Sequence, residues 1–150
     1  MTNRYKPQIP HVVEELRGAE EDFVLLTIRD TTANTEWIEN NFPIVFWGRV
    51  NWEKVPNSTC IQYHADYDLL LSAFEDIVAE QQLENNQNLI VSWTNAVKLP
   101  ILIDMQVLRK YAESIFAEDW ETWICNEQDG WLIENYHDGE ICFGKCVKTN

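Results

Sequence analysis

The sequence predicts an α+β fold in which two or three helices pack on a mostly antiparallel sheet that ends in a C-terminal β-meander. Three observations support this. One long helical stripe of apolar residues spans 66–83, short β-rich segments lie before and after it, and two Asp-Gly pairs separate apolar segments near the C-terminus. Asp-Gly is a strong hairpin signal because glycine adopts the positive φ that the turn requires. Hairpins beside helices favour α+β over an alternating parallel sheet.

In the first third of the chain, the sequence predicts short helices and strands. Pro10 suits the first turn of a helix over 11–20, whose inward face is Val12, Val13 and Leu16. The apolar, β-branched run at 23–29 predicts a largely buried strand. Residues 31–41 predict a helical turn around Trp37 and Ile38, and residues 43–50 a second strand.

The clearest helix covers residues 66–83, with Asp66 as its N-cap. Its apolar residues recur at helical spacing and form one stripe: Tyr67, Leu70, Leu71, Phe74, Ile77 and Val78. Three acids, Asp76, Glu80 and Glu84, repeat every four residues and are expected on the outer face.

The remaining elements follow from shorter patterns. Asp104 is expected to cap a helix that runs to about residue 117. The predicted strands are 88–94, 99–103, 122–125, 131–136 and 140–146. The last three form the meander, because Asp129-Gly130 and Asp138-Gly139 lie between them.

The length of 150 residues predicts a single domain over 1–150, with residues 1–10 as an extended tail. The positively charged N-terminus is not followed by an apolar segment, so no signal peptide is expected, and the short apolar runs predict no membrane span. The expected location is therefore the cytoplasm, where four cysteines are expected as four reduced thiols.

The strongest feature of the composition is its charge. The chain carries 25 acids and 11 bases, a net charge of −14. Residues 55–97 and 111–144 contain fifteen acids and no Lys or Arg, whereas residues 1–54 are nearly balanced. Such a surface repels nucleic acid and anionic membranes and attracts basic proteins. Solubility alone is the competing explanation of the charge.

Two acidic patches are candidate partner-binding surfaces. One surrounds Trp120, the tryptophan most expected to be exposed, and the turns of the meander; its acids are Glu118, Asp119, Glu121, Glu127, Asp129, Asp138 and Glu140. The other is the outer helix face with Asp76, Glu80 and Glu84. The first is favoured because aromatic anchors within a polar rim are typical of binding hot spots. Trp123 and Trp131 are expected to pack the meander onto the helices.

Catalytic equipment is sparse, and no enzyme activity is predicted. No nucleophile elbow or glycine-rich phosphate loop is present. Cys60, His64 and Asp66 contain the residue types of a nucleophile, base and orienting acid, but Asp66 has a simpler role as a helix cap. No catalytic residue and no cofactor are therefore predicted.

A zinc site is the metal hypothesis that the sequence suggests, with Cys125, His137, Cys142 and Cys146 as its ligands. Cys142 and Cys146 are separated by about 13 Å on a continuous strand, too far for one ion or for a disulfide between them. The sequence therefore predicts no metal site.

The C-terminal pattern D-W-x-x-W-I at 119–124, G-W-L-I-E at 130–134 and H-D-G-E-I-x-F-G at 137–144 resembles the closing segment of small bacterial proteins encoded beside polymorphic toxins. It is similar to immunity proteins of contact-dependent growth inhibition systems over about the last thirty residues. This resemblance implies a cytosolic antitoxin that occludes a cognate toxin domain, often a basic nuclease. It assigns no individual functional residue.

The leading hypothesis is thus an immunity protein that binds a basic toxin, with a nuclease as the expected class of toxin, and that binds neither nucleic acid nor membrane. A DNA mimic is the alternative, because acids spaced by one helical turn lie about 6 Å apart, close to the spacing of phosphates. A small hydrolase is a third hypothesis. The sequence does not specify the oligomeric state.

Overall fold

A computed structural model of the protein describes residues 6–45, 48–95 and 97–147. Its helices are α1 (Val12–Gly18), α2 (Ile28–Asn41), α3 (Tyr67–Glu80), α4 (Met105–Lys110) and α5 (Ala112–Ala117). Its strands are β1 (Val24–Leu25), β2 (Thr59–Gln62), β3 (Leu89–Trp93), β4 (Ile101–Ile103), β5 (Thr122–Asn126), β6 (Trp131–Tyr136) and β7 (Glu140–Lys145). The seven strands form one sheet in the order β1-β4-β3-β5-β6-β7-β2. Every neighbouring pair is antiparallel.

The predicted α+β class and C-terminal meander are confirmed, although the described residues contain five helices rather than two or three. The two Asp-Gly turns link β5 to β6 and β6 to β7, and Gly130 and Gly139 have φ values of 77° and 93°. The positive φ explains why both turns require glycine.

The larger core lies on the sheet face covered by α1, α3, α4 and α5. Ile133 of β6 pairs with Ile124 and Phe143 on its two neighbouring strands, and all three side chains belong to this core. Above them, the rings of Phe74 and Phe116 meet edge to face with centroids 5.3 Å apart. The meander is therefore held against α3 and α5 by apolar contact.

A second core lies on the opposite face, under α2 and the short 3₁₀ helix Trp52–Lys54. Ile38 of α2 and Phe42, the residue that follows this helix, pack here with Leu132 of β6. A Cβ atom at Gly144 would lie 2.7 Å from Trp52 and from Val55, so glycine permits this close approach. Because both faces are covered, the central strands carry apolar residues without strict alternation.

The predicted strand over 23–29 is wrong for most of its length: only Val24 and Leu25 form a strand, β1, and helix α2 begins at Ile28. Thr27 caps α2: its hydroxyl oxygen accepts the Asp30 N–H at 3.2 Å, and the Asp30 carboxylate accepts the Thr27 N–H at 2.8 Å. This capping box starts a helix inside the apolar run. Residues 31–41 consequently belong to a helix of 14 residues and not to a single turn.

The predicted strand over 43–50 is also wrong. Ile44 and Val50, near its two ends, pair with each other in an isolated antiparallel bridge, and the Val45 N–H donates to the Arg49 carbonyl at 2.8 Å. A segment whose ends pair in this way cannot continue as one strand. The central part of this prediction, residues 46–47, lies outside the described residues. The strand that joins the sheet is β2, which the sequence analysis missed.

The long central helix is confirmed, with Asp66 accepting the N–H groups of Asp68 and Leu69 at 2.9 and 3.2 Å. It ends at Glu80, before the predicted residue 83. Tyr67, assigned to its apolar stripe, is instead 45% exposed. The predicted helix from Asp104 is divided at Tyr111 into α4 and α5. The Asp104 side chain makes no cap bond and accepts the Asn88 N–H at 3.2 Å.

Part of the predicted N-terminal tail, residues 1–5, lies outside the described residues. Gln8 pairs with Lys98 in a parallel bridge, and its N–H donates to the Val97 carbonyl at 2.7 Å. Gln8 thus attaches this part of the predicted tail to residues 97–99, just before β4. None of the helices in the described part of the chain has the length and apolar character needed to cross a bilayer.

Candidate functional site

Trp120, between α5 and β5, is the most exposed large apolar side chain of the described residues, at 72%. Its backbone N–H donates to the adjacent Asp119 carboxylate at 2.8 Å. Its ring lies edge to face with the His137 ring, with centroids 5.5 Å apart. The predicted exposure of Trp120 is confirmed, and so is the packing of Trp131, which is 3% exposed, while Trp123 is half-buried against the second core. Among these three tryptophans, Trp120 is the one whose side chain is mostly exposed.

A pocket of about 470 Å³ opens beside Trp120, between the start of α3, the end of α5 and the β6–β7 turn. Its walls are aromatic, formed by Trp120, Tyr67, Phe116 and His137. The turn before α3 completes the pocket, because Ala65 contributes to the lining and lies against Gly139. His64 and Ala65 adopt φ values of 52° and 61°, which non-glycine residues rarely do. The pocket mouth is therefore built on a constrained turn.

Buried polar groups form the floor of this pocket. Asn135 and Tyr63, which are 3% and 7% exposed, both line it, and the Tyr63 hydroxyl donates to the Asn135 side-chain oxygen. Burial raises the pKa of Tyr63 to about 12, so its hydroxyl stays protonated. Thr122, paired with Asn135 across the sheet, is fully buried, and its hydroxyl has no partner among the described residues.

Two of the predicted acids lie near the pocket: Asp119 belongs to its lining, and Glu121 contacts the lining residue His137 from outside. Asp119 has its carboxylate 3.7 Å from the Lys98 ammonium. Glu121 accepts the Thr94 hydroxyl at 3.0 Å with one oxygen and contacts Nδ1 of His137 with the other. These contacts leave each carboxylate partly exposed, with side-chain exposures of 17% and 14%.

Glu118 also lines the pocket, but its carboxylate is directed inward and is only 1% exposed. It accepts from the Lys98 ammonium and from the Val12 N–H, both at 3.0 Å, and lies 2.9 Å from Nδ1 of His11. Burial alone would raise the pKa of Glu118, but these hydrogen bonds lower it below its ordinary value. This acid therefore joins α1, α5 and the segment before β4.

A charged cluster around Arg49 lies at the β6–β7 turn, on the sheet face that carries the second core. The guanidinium donates to Asp138 at 2.8 Å, contacts Glu140, and lies 4.4 Å from the ring centre of Tyr136. Its Nε is 3.4 Å from the carboxylate of Glu134, which is 2% exposed. Asp138 and Glu140 are therefore largely compensated, since a base from outside the acidic stretch pairs with both.

Glu134 is the buried member of that cluster. It accepts the indole N–H groups of Trp52 at 2.9 Å and Trp123 at 2.7 Å, and the Val50 N–H at 3.2 Å. Burial raises its pKa, although these hydrogen bonds and Arg49 act in the opposite direction. Glu134 thereby fastens residues 49–52 to the sheet. No local sequence pattern indicates that Glu134 contacts Arg49, Trp52 and Trp123. Trp52, for example, lies 82 positions before Glu134 in the chain.

A family model described as CdiI immunity protein EcoliA0-like matches residues 13–144. The protein belongs to this family. The matched range begins in α1 and ends in β7, so it contains the pocket and the Arg49 cluster. No curated protein matches the chain.

Membership of the CdiI immunity family confirms the resemblance to immunity proteins of contact-dependent growth inhibition. It supports an immunity, or antitoxin, role and implies that the partner is a cognate toxin. An immunity protein must present a surface that a toxin can contact. Trp120 and the pocket beside it are the candidate for such a surface on this family member.

The remaining acids of the favoured patch lie elsewhere on the immunity protein. Glu127 and Asp129 occupy the β5–β6 turn, at the opposite end of the strands from Trp120. Five residues of strand separate the two ends by about 17 Å. Glu127 accepts from Asn34 at 3.0 Å and Asp129 from Asn126 at 3.1 Å. The structure therefore divides the predicted meander patch into two regions.

The predicted acidic face of α3 is shorter than the sequence pattern suggests. Asp76 and Glu80 are exposed on the helix, but Glu84 lies in the turn that follows it. Next to this face, Arg109 neutralises Glu75 through hydrogen bonds from Nε at 3.0 and 3.2 Å. The three-acid helical repeat on which the DNA-mimic alternative rested is therefore not present.

The prediction of four reduced thiols is wrong, because the structure joins Cys60 and Cys142 in a disulfide. These residues face each other on β2 and β7, with Cα atoms 4.1 Å apart. The unpredicted strand β2 brings them together. Cys125 and Cys146 are free, and burial raises the pKa of the Cys125 thiol to about 12, which makes it a poor nucleophile.

Neither the hydrolase set nor the zinc set is assembled. Cys60 is in the disulfide, and Asp66 caps α3 as expected. Of the zinc candidates, Cys125 lies toward the end of β5 remote from the His137 turn. Among the described residues, the group with metal-ligand spacing is Cys60, Glu140 and Cys142, whose ligand atoms lie within 4.8 Å of one another. Its two sulfur atoms are bonded to each other, and Glu140 is occupied by Arg49 and Gln62.

Proposed function

We propose that this immunity-family protein neutralises a cognate toxin domain that carries a basic surface, by covering that surface and not by catalysis. The single observation that carries the proposal is the exposed Trp120 beside an aromatic pocket with acids at its rim. The net charge of −14 adds a long-range attraction for a basic protein. In this arrangement charge raises the association rate, and a buried aromatic anchor lowers the dissociation rate.

We further propose that the toxin is a nuclease and that inhibition takes place in the cytoplasm, where the Cys60–Cys142 disulfide would have to withstand a reducing environment. Proteins that bind nucleic acids need clustered Lys and Arg to neutralise phosphates. An inhibitor that covers such a surface must be acidic, as this chain is. The toxin's substrate would then compete with the immunity protein for the same basic groups.

The test is to recover the partner and measure its binding. A tagged form of the full chain is used for capture from the native host, and the captured protein is identified by mass spectrometry. The expected partner is a basic toxin domain whose association rate falls as salt concentration rises. Recovery of housekeeping proteins alone, or an association rate independent of salt, contradicts the proposal.

The nuclease proposal is tested separately with the captured domain. It is expected to degrade DNA or RNA, and an equimolar amount of the immunity protein is expected to stop the degradation. A toxin that is bound and inhibited but leaves nucleic acids intact would refute the nuclease while retaining the immunity role.

A further inference from the structure

We propose that the pocket beside Trp120 receives one arginine side chain of the partner. This inference rests on the proposed function, because it names the chemistry by which the toxin is recognised at that surface. The guanidinium group would lie between aromatic rings, above a floor in which the oxygen atoms of Tyr63 and Asn135 can accept hydrogen bonds.

The aromatic walls are the first argument. Trp120 and Tyr67, 72% and 45% exposed, both line the pocket and present their rings to an incoming group. Tryptophan and tyrosine rings attract cations placed over their faces, and a guanidinium also stacks on them as a flat group. The described residues already contain a contact of this kind, where Arg49 lies over Tyr136.

The charges around the pocket are the second argument. The charged residues in its lining are Glu118 and Asp119, and no Lys or Arg belongs to it. The nearest base, Lys98, donates to the Glu118 carboxylate and carbonyl at 3.0 and 2.9 Å, so its charge is already compensated. One oxygen of Asp119 accepts the Trp120 N–H, and the other lies 3.7 Å from the Lys98 ammonium, too far for a hydrogen bond to it. That second oxygen can therefore accept from a ligand.

A second acid lies just outside the pocket. Glu121 lies next to the pocket through its contact with His137. The ring of His137 is also close to Tyr136, with centroids 4.4 Å apart, which fixes its position in the wall. A positively charged ligand therefore meets Asp119 on one side of the pocket mouth and Glu121 beyond His137.

The buried floor is the third argument. An apolar occupant would cover the hydroxyl oxygen of Tyr63 and the side-chain oxygen of Asn135, both able to accept a further hydrogen bond, without supplying any donor. Covering polar groups without new hydrogen bonds is unfavourable. A guanidinium carries five N–H donors in a plane, enough to reach floor and rim together. An arginine therefore satisfies the acceptors, the rings and the charge at once, whereas leucine or phenylalanine satisfies the rings alone.

The experiment uses the full chain without any toxin and small probes in its place. N-acetyl-arginine amide is titrated while the indole N–H of Trp120 and the ring of His137 are followed by NMR, with the Trp120 signal assigned from Trp120→Phe. The neutral isostere N-acetyl-citrulline amide and the apolar N-acetyl-leucine amide are titrated in the same way. The arginine probe is expected to bind at least tenfold more tightly than either, and Asp119→Asn is expected to remove most of that preference.

A variant far from the pocket controls for general effects. Val24 is 52% exposed on β1, at the opposite edge of the sheet, and Val24→Ala is expected to leave the titration unchanged. If the arginine probe shifts the Trp120 and His137 signals no more than the citrulline probe does, including the case in which neither shifts them, the inference is overturned.

A second arm separates this inference from the proposed function. With the captured toxin domain, each arginine is replaced by glutamine and binding is measured to the wild type and to Asp119→Asn. One arginine is expected to lose most of its effect in the Asp119→Asn background, which is the signature of a direct pair. A toxin that binds tightly but contains no such arginine refutes the pocket assignment and leaves the immunity function intact. Failure to find any toxin refutes the function itself.

Discussion

The ammonium of Lys98 lies 3.0 Å from the carboxylate of Glu118, and the two side chains are only 9% and 1% exposed. The pair lies beneath the Trp120 pocket and connects the segment before β4 to the end of α5. The same carboxylate accepts the Val12 N–H of α1. One acid thus fixes the position of three segments behind the candidate binding surface.

Replacing Glu118 with glutamine is expected to destabilise the protein by about 2–3 kcal/mol. The amide keeps the shape but leaves the buried Lys98 without its nearest negative partner, and an uncompensated buried charge is costly. The free energy of unfolding, measured by urea denaturation, tests this. Glu113→Gln, an exposed acid on the same helix, serves as the matched control and is expected to change stability by less than about 0.5 kcal/mol.

The stabilising effect of Glu118 is expected to depend on pH in one direction. Its pKa is lowered by folding, so the stability it contributes is complete above its ordinary value of 4.5 and is lost as pH falls through the folded-state pKa. The difference between wild type and Glu118→Gln should therefore shrink on acidification below pH 4.5. A difference that stays constant from neutral pH to the acid limit of the native state would contradict this.

Glu134 is expected to show the opposite dependence. Burial raises its pKa above 4.5, so the stability it contributes is complete below 4.5 and is lost as pH rises through the folded-state pKa. The advantage of wild type over Glu134→Gln should therefore fall as pH rises above 4.5. Urea unfolding of both proteins between acid and neutral pH measures the trend, with Glu80→Gln as control for the loss of one negative charge. An advantage that grows with pH would show that Arg49 outweighs burial at this site.

Local patterns predicted the elements whose signals lie within a few residues. The helix after Asp66 and both Asp-Gly turns are examples, because cap, stripe and turn chemistry agree there. The strand predicted over 23–29 failed because Val-Leu-Leu-Thr-Ile suits either structure. The deciding signal is the Thr27–Asp30 capping box, whose two residues lie three positions apart in the sequence.

The candidate site was predictable only in part, for a related reason. Trp120 was identified because acids flank it on both sides along the chain. The pocket beside it was not, since Tyr63, Tyr67 and Asn135 come from distant segments that only the folded sheet brings together. The charge pattern was misleading in the same way. Arg49, Lys98 and Arg109 lie outside the acidic stretches but pair with acids within them.

The Cys60–Cys142 disulfide is expected to stabilise the fold by about 2–4 kcal/mol, because it closes a long loop of the unfolded chain. The two cysteines are 82 positions apart. Cys60→Ser removes the bond at its exposed end, and its unfolding free energy should fall to that of the wild type in excess dithiothreitol. The control Cys146→Ser should keep the dithiothreitol sensitivity of the wild type. Thiol titration of the denatured protein is expected to give two free thiols, Cys125 and Cys146, and a value of four would contradict the bond.

Two sets of substitutions should separate steering from anchoring on the candidate surfaces. Charge reversal at Asp76 and Glu80 changes only exposed groups on α3, so it is expected to slow association with the captured toxin and leave dissociation nearly unchanged. Trp120→Ala removes a side chain that contributes little to the core, so it should leave stability intact and speed dissociation at least tenfold, as hot-spot residues do. Val24→Ala, which removes another exposed apolar group, should change neither rate.

The outcome of that comparison assigns a role to the acidic charge. Circular dichroism first confirms that each variant is folded, and both rate constants are then measured at low and at physiological salt. Because exposed charges act over a distance that salt shortens, the effect of the Asp76 and Glu80 reversal should diminish as salt rises. The Trp120 effect should persist, since contact in a dehydrated pocket is only weakly screened. If neither set alters either rate, the negative charge serves solubility alone and the toxin binds elsewhere on this protein.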